Sequence, residues 1–159
     1  MDARRMDMLL TRRVLIASGA AALLARPVMA DEPRWYQNRA YAADGADVVA
    51  YFGLEPGANG VAGSDKFVTE WNGAKWRFSS AENQAAFEAN PQKYAPAFGG
   101  YCAWAVSQGY TAHGDKDAWT VHQGRLYPNY NKSVRQRWLG DVPGNVSKGE
   151  ANWPTVLGG

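Results

Sequence analysis

The sequence is poor in sulfur. Its 159 residues contain a single cysteine, Cys102, and all four methionines lie within the first 29 residues. Zinc usually takes about four ligands and Cu(I) prefers several soft sulfur ligands, so a metal site here must draw its other donors from elsewhere in the chain. The available donors are His113, His122, carboxylates and the amino terminus that export processing would leave.

Long hydrophobic runs are also missing. The apolar stretch from Val14 to Ala25 is too short to cross a bilayer comfortably. It follows a charged start that includes Arg12-Arg13, and it precedes "RPVMA", which has small residues before a cut. This pattern predicts a twin-arginine export signal over residues 1–30, cleaved after Ala30, and a periplasmic protein without a membrane partner after cleavage.

A strong excess of charge is absent as well. Five of the 17 Lys and Arg and two of the 15 Asp and Glu belong to the predicted signal, which leaves 12 bases, 13 acids and a formal charge of −1. Nothing in this balance indicates a nucleic acid or an anionic membrane as partner. The remaining 129 residues contain no repeat or long linker, which predicts one domain.

Turn signals and aromatic residues are plentiful. The segment "KFVTEWNGAKWRFSS" predicts a β-hairpin that turns at Asn72-Gly73, because both central positions of a two-residue turn favour positive φ. The predicted register runs from Trp71 opposite Ala74 to Phe67 opposite Phe78. One face of this hairpin is then aromatic and must be covered by another element.

Helix signals follow the hairpin. Ser79 and Glu82 form a capping-box pattern that predicts a helix through about Ala89, and "YCAWAVSQG" predicts a short apolar helix that ends at Gly109. We also expect a buried strand over "DVVAYFG", a second hairpin in "WTVHQGRLY" that turns at Gln123-Gly124, and one or two helices near the carboxyl end. The predicted class is α+β, a small single domain of β-hairpins covered by short helices.

Several of these segments resemble a known family. "DVVAYF", "WRFSSAENQAAFEANPQKYAPAFGGYCAWAVSQG", "AWTVHQGRLYPNY" and "NWP" resemble, in this order, the exported single-domain branch of the YHS domain family, with a core over about residues 45–154. The resemblance implies a small hairpin-plus-helix core. It also implies binding of a transition metal such as copper or zinc, because related domains accompany copper transporters and metal oxygenases. Many members carry two cysteines, whereas this chain has one.

Cys102 therefore has two main interpretations. As a metal ligand it would sit at a helix N-terminus, where unpaired N–H groups and the helix dipole lower a thiol pKa, with His113 and Asp115 or Asp117 as further ligands. As a packing residue it would be buried on an apolar helix face, which is common for a free cysteine. A reactive nucleophile is a third interpretation.

A ligand pocket is expected near the same loop, because tyrosine hydroxyls need partners when they are buried. Its predicted residues are Asp47, Tyr51, Gly99, Gly100, Tyr101 and Cys102. Since no hydrolase signature or phosphate loop is present, we expect a binding module and not an enzyme. The expected ligand is a transition metal ion near Cys102. The alternatives are a small-molecule or protein-interaction module in which Cys102 is only core, and an enzyme of unknown reaction.

Overall fold

The computed structural model describes residues 31–158, so the predicted export signal at 1–30 lies outside the described residues. Within this range the strands form three antiparallel hairpins. The strands are β1 (Gln37–Asn38), β2 (Tyr41–Ala42), β3 (Ser64–Trp71), β4 (Ala74–Phe78), β5 (Asp115–His122) and β6 (Arg125–Asn129). The helices are α1 (Ala81–Ala89), α2 (Pro91–Tyr94), α3 (Ala103–Ser107), α4 (Lys132–Leu139) and α5 (Val142–Asn152). The predicted α+β class is confirmed.

The β3–β4 hairpin largely follows the predicted register. Trp71 lies opposite Ala74 across the Asn72-Gly73 turn, and both turn residues have positive φ. The predicted Phe67–Phe78 pair is wrong, because a bulge between Ser64 and Val68 brings Ser64 opposite Phe78. A bulge adds residues to one strand only, which an alternation of apolar side chains cannot reveal.

Helix α1 covers the aromatic face of this hairpin, as expected. Its Phe87 is fully buried, with its ring centroid 5.2 Å from that of Trp76 and 5.0 Å from that of Phe78. The capping residue is Ser80, whose hydroxyl accepts from Asn83 N, and not the predicted Ser79. The hydroxyl of Ser79 donates instead to the buried carboxylate of Asp47.

The predicted strand over Asp47–Gly53 is wrong. The chain turns there and forms a 3₁₀ helix at Ala50–Gly53. The carboxylate of Asp47 accepts from the backbone N–H groups of Val49 and Ala50 and so stabilises the turn. A short apolar run does not distinguish a buried strand from a buried helical turn by its periodicity.

The second half of the domain confirms the remaining elements. The β5–β6 hairpin turns at Gln123-Gly124, and α4 and α5 form the predicted carboxyl-terminal helices. Trp138 on α4 is fully buried in a second aromatic core, with its ring centroid 5.1 Å from that of Tyr127. The loop that carries Gly99 and Cys102 lies at this second core.

Candidate functional site

The loop Ala97–Gly100 is a tight turn held against the amino-terminal segment. Phe98, Gly99 and Gly100 all have positive φ, a conformation that glycine adopts without steric cost. A Cβ at Gly99 would collide with the carbonyl oxygen of Arg34 and approach the Trp153 ring. The carbonyl of Gly99 accepts from Tyr36 N at 2.8 Å, so the loop and residues 34–36 are fixed together.

Cys102 ends this loop as the N-cap residue of α3. It is 1% exposed, and its Sγ accepts from the backbone N–H of Ala105 at 3.5 Å. The thiol also donates to Asn129 Oδ1 at 3.6 Å. The predicted position at a helix N-terminus is therefore confirmed, and the thiol acts there as a buried cap.

The pKa of Cys102 is shifted against our expectation. Burial raises the pKa of the thiol, and the backbone N–H groups of Ala105, Tyr130 and Trp104 lower it by less. The helix N-terminus does act as predicted, but desolvation of the thiolate is the larger effect. At neutral pH the group is a protonated thiol, the less reactive form.

Asn129 is a partner of Cys102 that the sequence analysis did not find. It is fully buried, and its Oδ1 accepts from Trp104 N at 3.0 Å as well as from the thiol. Its Nδ2 has no hydrogen-bond partner among residues 31–158. Asn129 ends β6 within the segment "AWTVHQGRLYPNY", but nothing in that segment indicates a contact with Cys102, so only the folded arrangement of β6 against α3 identifies it.

The proposed metal ligands do not converge on the thiol. His113 is exposed, with its ring centroid 4.3 Å from that of Tyr130, and it lines an open cleft together with Asp115 and Asp117. Cys102 does not line this cleft. Within the described part of the chain, no group of three or more His, Cys, Asp or Glu side chains is arranged to hold a metal ion.

We call this opening the aspartate cleft; it has a volume of about 420 Å³ and is lined by Tyr36, Asp44, His113, Asp115, Lys116 and Asp117. Its carboxylates are engaged by the protein itself. Asp117 accepts from Gly60 N at 2.9 Å and from Lys116 Nζ at 2.8 Å. Asp44 accepts from Lys116 N, and Asp115 accepts from Asp117 N. These contacts fix loops, and they engage one oxygen each of Asp115 and Asp117.

Two predicted pocket residues on this side of the loop also have structural partners. Asp47 is fully buried, and its second carboxylate oxygen accepts from Ser79 N, Ser79 Oγ and Asn83 Nδ2. Tyr51 donates its hydroxyl to the carbonyl of Lys116 at 2.7 Å, and burial raises its pKa with the nearby aspartates adding to the effect. Gly100 and Tyr51 line a small void that shares Tyr36, Asp44 and Lys116 with the aspartate cleft. Asp47 lines neither opening.

Gly99 faces a different opening, which we call the arginine cleft. It has a volume of about 330 Å³ and its walls include Arg34, Gly99, Arg125, Tyr127, Glu150 and Trp153. The amino-terminal segment, the start of β6 and the end of α5 meet here. Tyr101 packs beside this wall: its ring centroid is 6.2 Å from that of Trp153, and its hydroxyl donates to the carbonyl of Pro33.

The predicted pocket residues are thus divided by the loop. Gly99 lines the arginine cleft, while Gly100 and Tyr51 border the opposite side, and Tyr101 and Cys102 lie buried between them. Arg34, Arg125 and Glu150 are polar cleft residues that the sequence analysis missed. They come from three distant segments, and no local pattern marks them.

Comparison with known proteins gives no match. No family model, curated protein or solved structure matches this chain. Among residues 31–158, no helix is both long enough and apolar enough to cross a membrane. The geometry of the loop and of the two clefts is therefore the basis for the function proposed below.

Proposed function

We propose that this protein is an exported, YHS-like binding module without catalysis, that its ligand is a small molecule, and that the ligand binds in the arginine cleft on the Gly99 side of the loop. In this proposal Cys102 is a core residue that caps α3. The single observation that carries it is the burial of the thiol, which is 1% exposed, donates to Asn129 Oδ1 and accepts from the backbone N–H of Ala105. A ligand site at Cys102 would first require the core to open.

The absence of catalysis in the proposal rests on the surroundings of the same thiol. A cysteine nucleophile needs a base within hydrogen-bond reach that removes its proton. The side-chain partner of Cys102 is the amide of Asn129, and His113 lines the aspartate cleft instead. Burial also raises the pKa of the thiol, which disfavours the nucleophilic thiolate.

The experiment combines thiol alkylation with native mass spectrometry of the full-length gene product purified after export. We expect iodoacetamide to modify Cys102 only when the protein is unfolded. We also expect no stoichiometric Cu(I), Cu(II) or Zn(II) that depends on the thiol. Cys102→Ser is the matched control, because a serine hydroxyl can still cap α3.

The opposite result would support the metal-binding alternative. A tight one-to-one copper or zinc adduct that persists in the wild type and disappears in Cys102→Ser would contradict the proposal, provided that both proteins unfold at similar urea concentrations. Rapid alkylation of the native protein would contradict the buried state of the thiol.

A further inference from the structure

The arginine cleft carries positive charge that the protein does not neutralise. The ion pairs within residues 31–158 involve Lys75, Arg77 and Lys116, and neither Arg34 nor Arg125 takes part in one. One carboxylate, that of Glu150, also lines the cleft. The opening therefore has a formal excess of one positive charge, although the chain after residue 30 has a formal charge of −1.

An aromatic wall lies beside these charges. The guanidinium carbon of Arg34 is 5.9 Å from the centroid of the Trp153 ring. Behind it, the centroid of Phe98 is 6.1 Å from that of Trp153 and 5.9 Å from that of Tyr127. A flat ligand can contact such a wall with little loss of conformational entropy, since the rings are already packed against each other.

The walls of the cleft are preorganised. Gly99 lets the loop approach Arg34 and Trp153 closely, and the lack of a side chain at Gly149 lets α5 pack directly on Phe98. The volume of about 330 Å³ is at the lower end of the range of roughly 300 to 1,000 Å³ for small-molecule sites. The site therefore suits a compact ligand with one or two rings.

We propose that the arginine cleft binds a small planar organic anion, with a carboxylate held between Arg34 and Arg125 and a flat ring against Trp153. This inference rests on the proposed function and specifies its ligand class. A planar guanidinium with several N–H donors matches a carboxylate in geometry and charge. Arg125, Tyr127 and Glu150 line this same cleft.

Other openings lack this combination. At the tip of the β3–β4 hairpin, Glu70 and Lys75 line a hollow but lie 4.0 Å apart as an ion pair. The hollow beside Tyr110 has one charged side chain, that of Glu32. In the aspartate cleft, the charged groups bond to one another and to backbone groups. Among the openings compared, the arginine cleft is the one in which two arginines outside any ion pair lie beside an aromatic wall.

The test uses three probes that share one ring system and differ in charge: 2-naphthoate, 2-naphthamide and 2-naphthylmethylammonium. Binding to the full-length gene product purified after export is measured by isothermal titration calorimetry at low ionic strength. We expect one-to-one binding of the naphthoate, with the neutral amide weaker by about tenfold or more, because a charged hydrogen bond contributes more than a neutral one. Added salt should weaken naphthoate binding.

Variants locate the site and its charge. Arg34→Gln and Arg125→Gln should each weaken naphthoate binding by about tenfold. Glu150→Gln should strengthen it, since it removes the one negative charge of the cleft. Arg137→Gln is the matched control, because Arg137 is exposed on α4 and does not line the cleft. All four side chains are exposed, so the variants are expected to fold.

Each contrary outcome has a distinct meaning. Equal or tighter binding of the ammonium probe would overturn the anion class and leave a small-molecule site in place. Naphthoate binding that neither arginine variant changes would overturn the location in the arginine cleft as well. Binding of none of the probes would overturn the inference as a whole. The proposed function would then be decided by its own alkylation and metal measurements, which do not involve these probes.

Discussion

Two clefts of opposite charge lie on either side of the Gly99-Gly100 turn, and they differ in what their charges do. In the aspartate cleft, Asp117 accepts from Gly60 N and from Lys116 Nζ, so its charge holds two loops together. In the arginine cleft, Arg34 and Arg125 have no carboxylate partner within residues 31–158. The first set of charges stabilises the fold, whereas the second set is the one that we propose a ligand neutralises.

The comparison shows why a cluster of ionisable residues in the sequence is weak evidence for a site. His113, Asp115 and Asp117 are close in the chain and do share a cleft, as a metal-site interpretation requires. The Oδ1 atoms of Asp115 and Asp117 nevertheless accept from backbone N–H groups and, in the case of Asp117, also from Lys116 Nζ. The two clefts are distinguished by whether their charged side chains have hydrogen-bond partners within the protein, and not by residue type.

The largest effect is expected from Gly99→Ala, which tests whether the arginine cleft depends on the close approach of the loop. A non-glycine residue at positive φ costs about 1 to 2 kcal/mol, and the collision with the carbonyl of Arg34 adds to this. We expect a clear loss of unfolding free energy in urea and loss of naphthoate binding. Gly53→Ala is the control, since a Cβ there has open space. Equal stability of the two variants would contradict the described packing.

A smaller change in unfolding free energy is expected when one charged residue of each cleft is replaced. Asp117→Asn removes a charged acceptor with two donors and should destabilise the protein by about 1 kcal/mol, discounted because the side chain is partly exposed. Arg125→Gln should change the unfolding free energy by no more than about 0.5 kcal/mol. Urea denaturation of both variants measures the difference. A larger loss for Arg125→Gln would mean that its charge is structural after all.

The sequence was informative where local chemistry decides the structure. Asn72-Gly73 and Gln123-Gly124 each specify a two-residue turn, and the register next to each turn follows from it. It failed at Asp47, where an apolar run resembled a strand but a carboxylate with backbone and side-chain donors made a helical turn. The bonds of that carboxylate to Ser79 and Asn83 join segments more than 30 residues apart.

The candidate site was predictable only in part. "FGGYC" marked the loop that separates the clefts, because paired glycines indicate positive φ and close approach. The direction of the Cys102 pKa could not be predicted, since it depends on whether burial or the helix N-terminus has the larger effect. The walls of the arginine cleft could not be predicted either, because the packing of the amino-terminal segment, β6 and α5 brings together Arg34, Arg125 and Glu150.

The smallest effect on stability near neutral pH is expected for Tyr101. Its hydroxyl donates to the carbonyl of Pro33, the residue before Arg34. Burial, with Glu32 nearby, raises the pKa of Tyr101 to about 12 from its ordinary value of 10.0. The folded state thus keeps this proton longer than the unfolded chain. The associated stability is fully present below pH 10 and is lost as the pH rises from about 10 to 12.

The measurement is the urea-unfolding free energy of wild type and Tyr101→Phe at several pH values from 7 upward. The difference between the two proteins should shrink as the pH rises through this window. Cys102 and other buried tyrosines titrate in the same direction in both proteins, so the difference isolates Tyr101. A constant difference up to pH 12 would contradict the raised pKa of Tyr101.

The most direct test of the central claim is a chemical-shift map of the ligand site. Amide and indole resonances of the ¹⁵N-labelled protein are followed by NMR during titration with 2-naphthoate. We predict that the largest shifts occur at Gly99, Arg125 and Trp153, with little change at Gly114 and Asp115. Shifts concentrated at Gly114 and Asp115, or none at all, would contradict the assignment of the arginine cleft as the ligand site.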